Sequence, residues 1–203
     1  KAAGFNTKPG EGYSYVCQTL DMGISYYRLV YARLTGEPFV VAETKNLLIR
    51  EMTTKDLPEL YAVYSTLEDC RYIEQLYDYD KELEFTKNYI KNMYGFFEYG
   101  LWLVFEKKSG ELIGRAGIEN REIDGVTCRE IGYLIRRDMQ HKGYAYEACQ
   151  AILEYASDEL GIQEMFAVID KTNEPSRKLA QKLGFELYAQ TDGGPDLYKF
   201  VFG

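Results

Sequence analysis

Arg136-Arg137-Asp138-Met139-Gln140-His141-Lys142-Gly143-Tyr144-Ala145 separates a strand-like run from a long amphipathic one, and from Gln140 onward it reads Q-x-x-G-x-A. A tight turn that opens a helix aims several main-chain N–H groups at one spot, where the helix dipole adds positive potential, so a diphosphate can sit there. Gly143 leaves that approach clear of a side chain. Lys142 adds a charge, and the small Ala145 lets the helix lie close to a sheet. His141 contributes through its backbone, with its ring toward solvent. An ordinary strand-to-helix turn fits these few residues equally well, so the flanking pattern has to separate the two readings.

Upstream, strand-like runs at 101–107, 112–119 and 127–136 are divided by Ser109-Gly110 and Asp124-Gly125, strong hairpin signals that predict an antiparallel meander. Downstream, a helix is expected over 142–160, with Ala145, Ala148, Cys149, Ile152, Ala156 and Leu160 inward and Gly161 closing it. A short buried strand at 165–169 follows, then a helix capped by Asn173 with Pro175 in its first turn and Gly184 at its end, then strands at 185–190 and 197–202.

Nearer the start, a strand at 47–52 precedes Asp56-x-x-Glu59, a capping-box spacing with Pro58 in the first turn, and a helix over 57–67 with the stripe Leu57, Leu60, Tyr61, Tyr64 and Leu67. Asp80 is placed to cap a second helix whose Leu83, Thr86, Ile90, Met93 and Phe97 keep helical spacing up to Gly100. Before these lies an isolated helix over 20–34, with Leu20, Ile24, Tyr27, Tyr31 and Leu34 on one face and Gly36 and Pro38 as stop signals. Residues 1–45 thus read as an N-terminal extension with one helix and no assigned chemistry, and 46–203 as one domain. Its order, β-α-α-β-β-β-α-β-α-β-β, is that of an α/β (α+β) mixed sheet, mostly antiparallel, with helices on both faces.

The 203 residues, 46% hydrophobic and 28% charged, suit one domain with a full core. No apolar run is long enough to span a bilayer and the opening residues lack secretory-signal order, so a soluble, cytoplasmic protein without a membrane partner is expected. Cys17, Cys70, Cys128 and Cys149 are scattered and His141 is the one histidine, which disfavours a metal site or disulfide framework. A formal charge of −8 disfavours nucleic acid as partner and is compatible with a cationic one.

Glu130-Ile131-Gly132-Tyr133-Leu134-Ile135, the Q-x-x-G-x-A loop, Asn173-x-x-Ser176 and Lys182-Leu183-Gly184-Phe185 together resemble the successive motifs of the GNAT N-acetyltransferase superfamily, over about residues 47–202. The branch it is most similar to includes the ribosomal-protein N-terminal alanine and serine acetyltransferases and many spermidine acetyltransferases. The resemblance implies acetyl-CoA as co-substrate and transfer of its acetyl group, by direct attack on the thioester, to a primary amine. The amine is a small polyamine-like molecule or a basic protein N-terminus. It implies that Gln140 and the amides from His141 to Ala145 hold the CoA diphosphate. The strand edge at Tyr133, Leu134, Ile135 and Arg136 would pair with the pantetheine arm, and Asn173 would touch CoA near its thiol.

Glu130 stands where many family members place the carboxylate that deprotonates the ammonium, a contribution of roughly 10²–10⁴-fold. Otherwise it is a strand carboxylate pairing with Arg115 or Arg129. The tyrosine that often protonates the departing thiolate falls at Ala180 here. Ser176, another tyrosine or water then supplies that proton, or the thiolate leaves unassisted; Ser176 is also suited to bonding a backbone amide in a first turn. Residues 68–80 would wall the acceptor pocket, with Asp69, Tyr72 and Asp78 as candidate contacts to a cation, although charge runs in loops are commonly just solvated. Without the tyrosine, a non-catalytic acyl-CoA-binding module is the rival reading. Monomer and homodimer both remain open.

Overall fold

The computed structural model describes residues 24–67, 71–123 and 125–203. The chain divides into two compact units, residues 1–39 and 40–203. In the first, helix α1 (Ile24–Thr35) stops at Gly36, whose φ of +73° lets its amide close on Ala32 O at 2.9 Å. The start of the helix predicted over 20–34 lies outside the described residues. Leu34, expected inward, is 82% exposed, because it sits in the last turn while Tyr27 and Ala32 carry the buried side.

The second unit holds one eight-stranded sheet. Its strands are β1 (Val40–Glu43), β2 (Leu47–Arg50), β3 (Leu101–Glu106), β4 (Leu112–Ile123), β5 (Val126–Ile135), β6 (Glu164–Ile169), β7 (Glu186–Gln190) and β8 (Asp196–Val201). They run in the order β1-β2-β3-β4-β5-β6-β8-β7, antiparallel throughout except β5 beside β6. Strand β1 falls within the stretch read from sequence as an extension, and pairs its Val40 with Arg50 of β2.

The helices are α2 (Leu57–Ser65), α3 (Tyr79–Tyr89), α4 (Tyr144–Asp158) and α5 (Glu174–Leu183). Register assigns them to faces. Trp102, Ala116 and Tyr133 face one another across β3, β4 and β5, and that face takes α4, through Trp102 stacking edge-on to Tyr155 at 5.5 Å, and α5, through Tyr133 to Ser176. Arg115 lies on the opposite face with Leu103 and Leu134, and there it interacts electrostatically with Tyr64 of α2, with the ring of α3's Tyr89 6.0 Å away. Each fully buried large side chain in these layers, such as Leu57, Leu60, Trp102 or Ile152, contributes roughly 1.5–3 kcal/mol.

Three local expectations differ. The cap of α2 is built one turn earlier than Asp56-x-x-Glu59: a 3-10 turn (Thr54–Asp56) intervenes, and the Asp56 carboxylate takes Thr53 N at 2.7 Å and Thr53 Oγ at 2.9 Å. The N-cap position of helix α3 is held by Asp78 rather than Asp80, without a side-chain capping bond. It continues as a π-helix (Ile90–Phe97), whose wider turn rotates the buried face, so Tyr94 is 1% exposed while Phe97, expected inward, is 41% exposed. Gly117 explains how closely β4 approaches β3, since a Cβ there would meet Gly100 O at 1.9 Å. Among the described residues no helix is long and apolar enough to cross a membrane.

Candidate active site

Between β5 and α4 the chain makes a 3-10 turn (Arg137–Met139) and then two left-handed residues, His141 at φ +61° and Gly143 at +88°. The first half of this loop is bonded inward. Arg136 N donates to Ile113 O, Met139 N to Arg136 O, Gln140 N to Arg137 O, and Arg137 N to Thr66 Oγ. The second half is not: among the described residues, the amides of His141, Lys142, Gly143, Tyr144 and Ala145 donate to nothing. Those five N–H groups stand at the start of a 15-residue helix. They are a donor set suited to a multiply charged anion.

The side chains here brace the loop. Gln140 Nε2 donates to Ile135 O at 2.9 Å, and Lys142 Nζ reaches Met139 Sδ at 3.1 Å. Tyr144 bonds Glu106. Glu147, in the first turn of α4, takes Thr44 Oγ at 2.6 Å and the Asn46 amide at 2.8 Å, which pins the helix start to the β1–β2 turn. Arg136 departs from the expected role of edge donor: its amide turns toward β4, and its guanidinium is held by Asp138 at 2.7 Å and Glu111 at 2.8 Å. A cleft of about 570 Å³ beside the loop has Glu59, Glu111 and Asp138 in its wall, an acidic lining unsuited to phosphate.

Strands β5 and β6 pair in parallel at Glu130 and Phe166 and share no register beyond that point. The edge of β5 at Tyr133, Leu134 and Ile135 therefore has no strand against it on the β6 side. Glu130 sits at the fork. Its Oε1 accepts the Val168 amide at 3.3 Å and its Oε2 takes Arg121 Nε at 2.7 Å. The arginine expected opposite Glu130 was Arg115 or Arg129, and Arg121 holds that place instead. Glu119 faces Glu130 across β4 and β5, on the side of α2 and α3. Burial raises its carboxyl above the usual range, with the nearby charges of Glu130 and Glu74 adding to this and Arg115 opposing it.

The acceptor-side expectations divide. Tyr72 Oη is 2.6 Å from Thr172 Oγ, so the α2–α3 connection reaches the β6–α5 loop next to Asn173. Asp78 is exposed at the start of α3. Asp69 lies outside the described residues.

A model of the Acetyltransferase (GNAT) domain family matches residues 46–186. The chain belongs to the GNAT acetyltransferase family. Two relatives come from Bacillus subtilis (strain 168). The uncharacterized protein YkkB is 33% identical over 134 residues, 66% of this chain and 72% of its own. The uncharacterized N-acetyltransferase YnaD is 33% identical over 143 residues, 70% of this chain and 79% of its own. Among solved structures, RimL, a ribosomal L7/L12 alpha-N-protein acetyltransferase in complex with coenzyme A, shares the fold at TM-score 0.63 and 16% identity, over 80% of this chain and 97% of that one.

In this GNAT acetyltransferase, Ala180 is buried and carries no proton donor. The nearby hydroxyls are Tyr133 Oη, which donates to Ser176 Oγ at 3.0 Å between β5 and α5, and Ser176 itself, whose amide donates to the capping Asn173 Oδ1 at 3.3 Å. Burial pushes the Tyr133 phenol up, the Ser176 bond opposing it. Burial likewise raises the Cys149 thiol, which suits a core residue and not a nucleophile.

Sequence reading missed Glu119, Arg121 and the phenol of Tyr133. The signal for the first two was present: counting equal steps back from the Asp124-Gly125 hairpin sets Glu119 against Glu130 and Arg121 diagonal to it. Tyr133 and Ser176 come from elements 43 positions apart, which no local pattern joins.

Proposed function

We propose that the domain transfers the acetyl group of acetyl-CoA to a primary amine, either a small polyamine-like molecule or a basic protein N-terminus. The observation that carries this reading is the set of five undonated amides, His141 to Ala145, opening beside the unpartnered edge of β5. That donor set fits a diphosphate, and Gly143, at φ +88° with nothing within 4 Å of a would-be Cβ, keeps the approach open. RimL, by its description, acts on a protein α-amino group, which supports the protein N-terminus as one acceptor class.

Acetyl-CoA supplies the acyl group activated as a thioester. The loop amides and Lys142 hold the diphosphate, while Tyr133, Leu134 and Ile135 offer main-chain groups to the extended arm. Gln140 and Arg136 serve by bracing the loop. Asn173 and Ser176 sit at the thiol end, where Ser176, backed by the Tyr133 hydroxyl, donates the proton that the sulfur needs. A carboxylate at the fork, where Glu119 and Glu130 face each other, takes up the proton of the acceptor ammonium. Tyr72 and Asp78 line the acceptor approach, with a negative potential that suits a cation.

Incubation with acetyl-CoA and a panel of polyamines and short peptides with free N-termini, followed by free thiol, tests this. Amine-dependent thiol release with matching acetylated product is expected. Acetyl-CoA binding with no release for any amine would leave a binding module instead.

A further inference from the structure

Two carboxylates face each other at the fork, and the structure distinguishes them. Glu130 has both oxygens engaged, one by the Val168 amide and the other by Arg121. Glu119 makes no hydrogen bond among the described residues, and its Oε2 lies 3.5 Å from where a Cβ of Gly132 would be. Gly132 is two residues past the last position at which β5 pairs with β6, so the Glu119 carboxylate stands over the mouth of the opening strands, within van der Waals reach of a Cβ at Gly132.

We propose that Glu119 is the catalytic residue that takes the proton from the acceptor ammonium, and that Glu130 is a positioning residue that holds the fork. This rests on the acetyl-transfer reading and adds to it the identity of the base.

The surroundings of Glu119 suit the task. Arg115 and Arg121 face it from its own strand, Glu130 from β5, Tyr64 from α2, Tyr89 from α3 and Glu74 from the connection between those helices. Arg115 is 7% exposed and its Nε has no hydrogen-bond partner, so it supplies a buried positive charge without locking either glutamate oxygen. Burial and two like charges act the other way and keep the carboxylate basic enough to accept a proton from an ammonium. The two tyrosines stay protonated beside it, Tyr89 being pushed up to about 12 chiefly by burial.

In the step itself one N–H bond of the ammonium breaks, an O–H bond forms on Glu119, and the electron pair stays on nitrogen. The nitrogen then forms the C–N bond as the pair of the C–S bond goes to sulfur. Of the two protons that the nitrogen sheds, one passes through Glu119 to solvent and the other ends on the thiol.

The test uses the full chain, with an amine accepted in the panel above and kcat/KM measured across pH for wild type, Glu119→Gln, Glu119→Asp and Glu130→Gln, alongside thermal melting of each. Glu119→Gln is expected to lose ~100-fold or more at neutral pH, with the deficit shrinking as pH rises toward the amine's own pKa. Glu119→Asp should recover part of it, and Glu130→Gln should lose less than ~10-fold and keep the acidic limb. A second readout needs no turnover: carbon-13 NMR titration of the side-chain carboxyls should place Glu119 above the ordinary glutamate value of about 4.3 and move it down in Glu130→Gln.

Glu119→Gln within ~3-fold of wild type, or with the acidic limb intact, would overturn the assignment while leaving acetyl transfer standing. So would an Asp variant that folds as wild type yet is no better than Gln, or a Glu119 carboxyl that titrates at the ordinary value. Absence of amine-dependent release in wild type would instead sink the underlying activity.

Discussion

The carboxylate of Glu130 accepts the main-chain amide of Val168 at 3.3 Å, bridging β5 and β6 where their ladder stops at the Glu130 and Phe166 pair. A strand amide freed by the parting of its neighbour is costly to leave dry. Glu130→Ala is therefore expected to lower stability by about 1–3 kcal/mol. Urea denaturation checks this: the midpoint should fall with the slope unchanged.

Gly143 is strained for any other residue yet surrounded by space. Gly143→Ala should thus cost the fold only about 1–2 kcal/mol of left-handed strain. It should weaken CoA binding at least ~10-fold, because the new methyl group and the shifted backbone spoil the amide cluster. Melting and CoA affinity, measured side by side, separate the two effects.

The Tyr133 to Ser176 bond couples a strand to a helix at the thiol end of the proposed site. Ser176→Ala and Tyr133→Phe are each expected to lower kcat by roughly 10-fold, and the double variant little further, since the two act as one donor. KM for acetyl-CoA should hardly move. Additive losses in the double variant would show that the hydroxyls act separately.

Asp56 is held below the usual carboxylate range: burial alone would raise it, but Arg50 at 2.7 Å and both donors of Thr53 outweigh that. A lowered folded value means that the contribution is complete above the unfolded value of about 3.9 and is lost as pH falls through the folded value. Asp56→Asn should cost about 1–3 kcal/mol at neutral pH. Denaturation across pH should show the gap between the two proteins steady from about pH 5 upward and narrowing below about 4.

Much of this was legible from residue order. The strand, loop and helix around Gly143, the Asn173 cap and the antiparallel meander follow local rules of turn chemistry and periodicity, and the structure follows them. The register of α3 was not legible, because a π-helix inserts extra chain into a pattern that still looks helical, so Tyr94 is buried where Met93 and Phe97 were expected. Nor was β1, a four-residue edge strand with too little alternation to stand out. In the site, a glycine and a helix start mark in the sequence the loop that is proposed to hold the anion. Glu130 stands out by its motif and Glu119 does not, because the hydrogen bonds that separate the two carboxylates arise only once β4, β5 and β6 meet.

In the proposed site the amides of His141, Lys142, Gly143, Tyr144 and Ala145 receive the diphosphate of CoA. The decisive measurement is titration of CoA into the nitrogen-15-labelled chain. Those five amide resonances are expected to shift the most, saturating with a Kd on the order of 1–100 μM. Shifts confined to other regions, or none at all up to millimolar CoA, would contradict it.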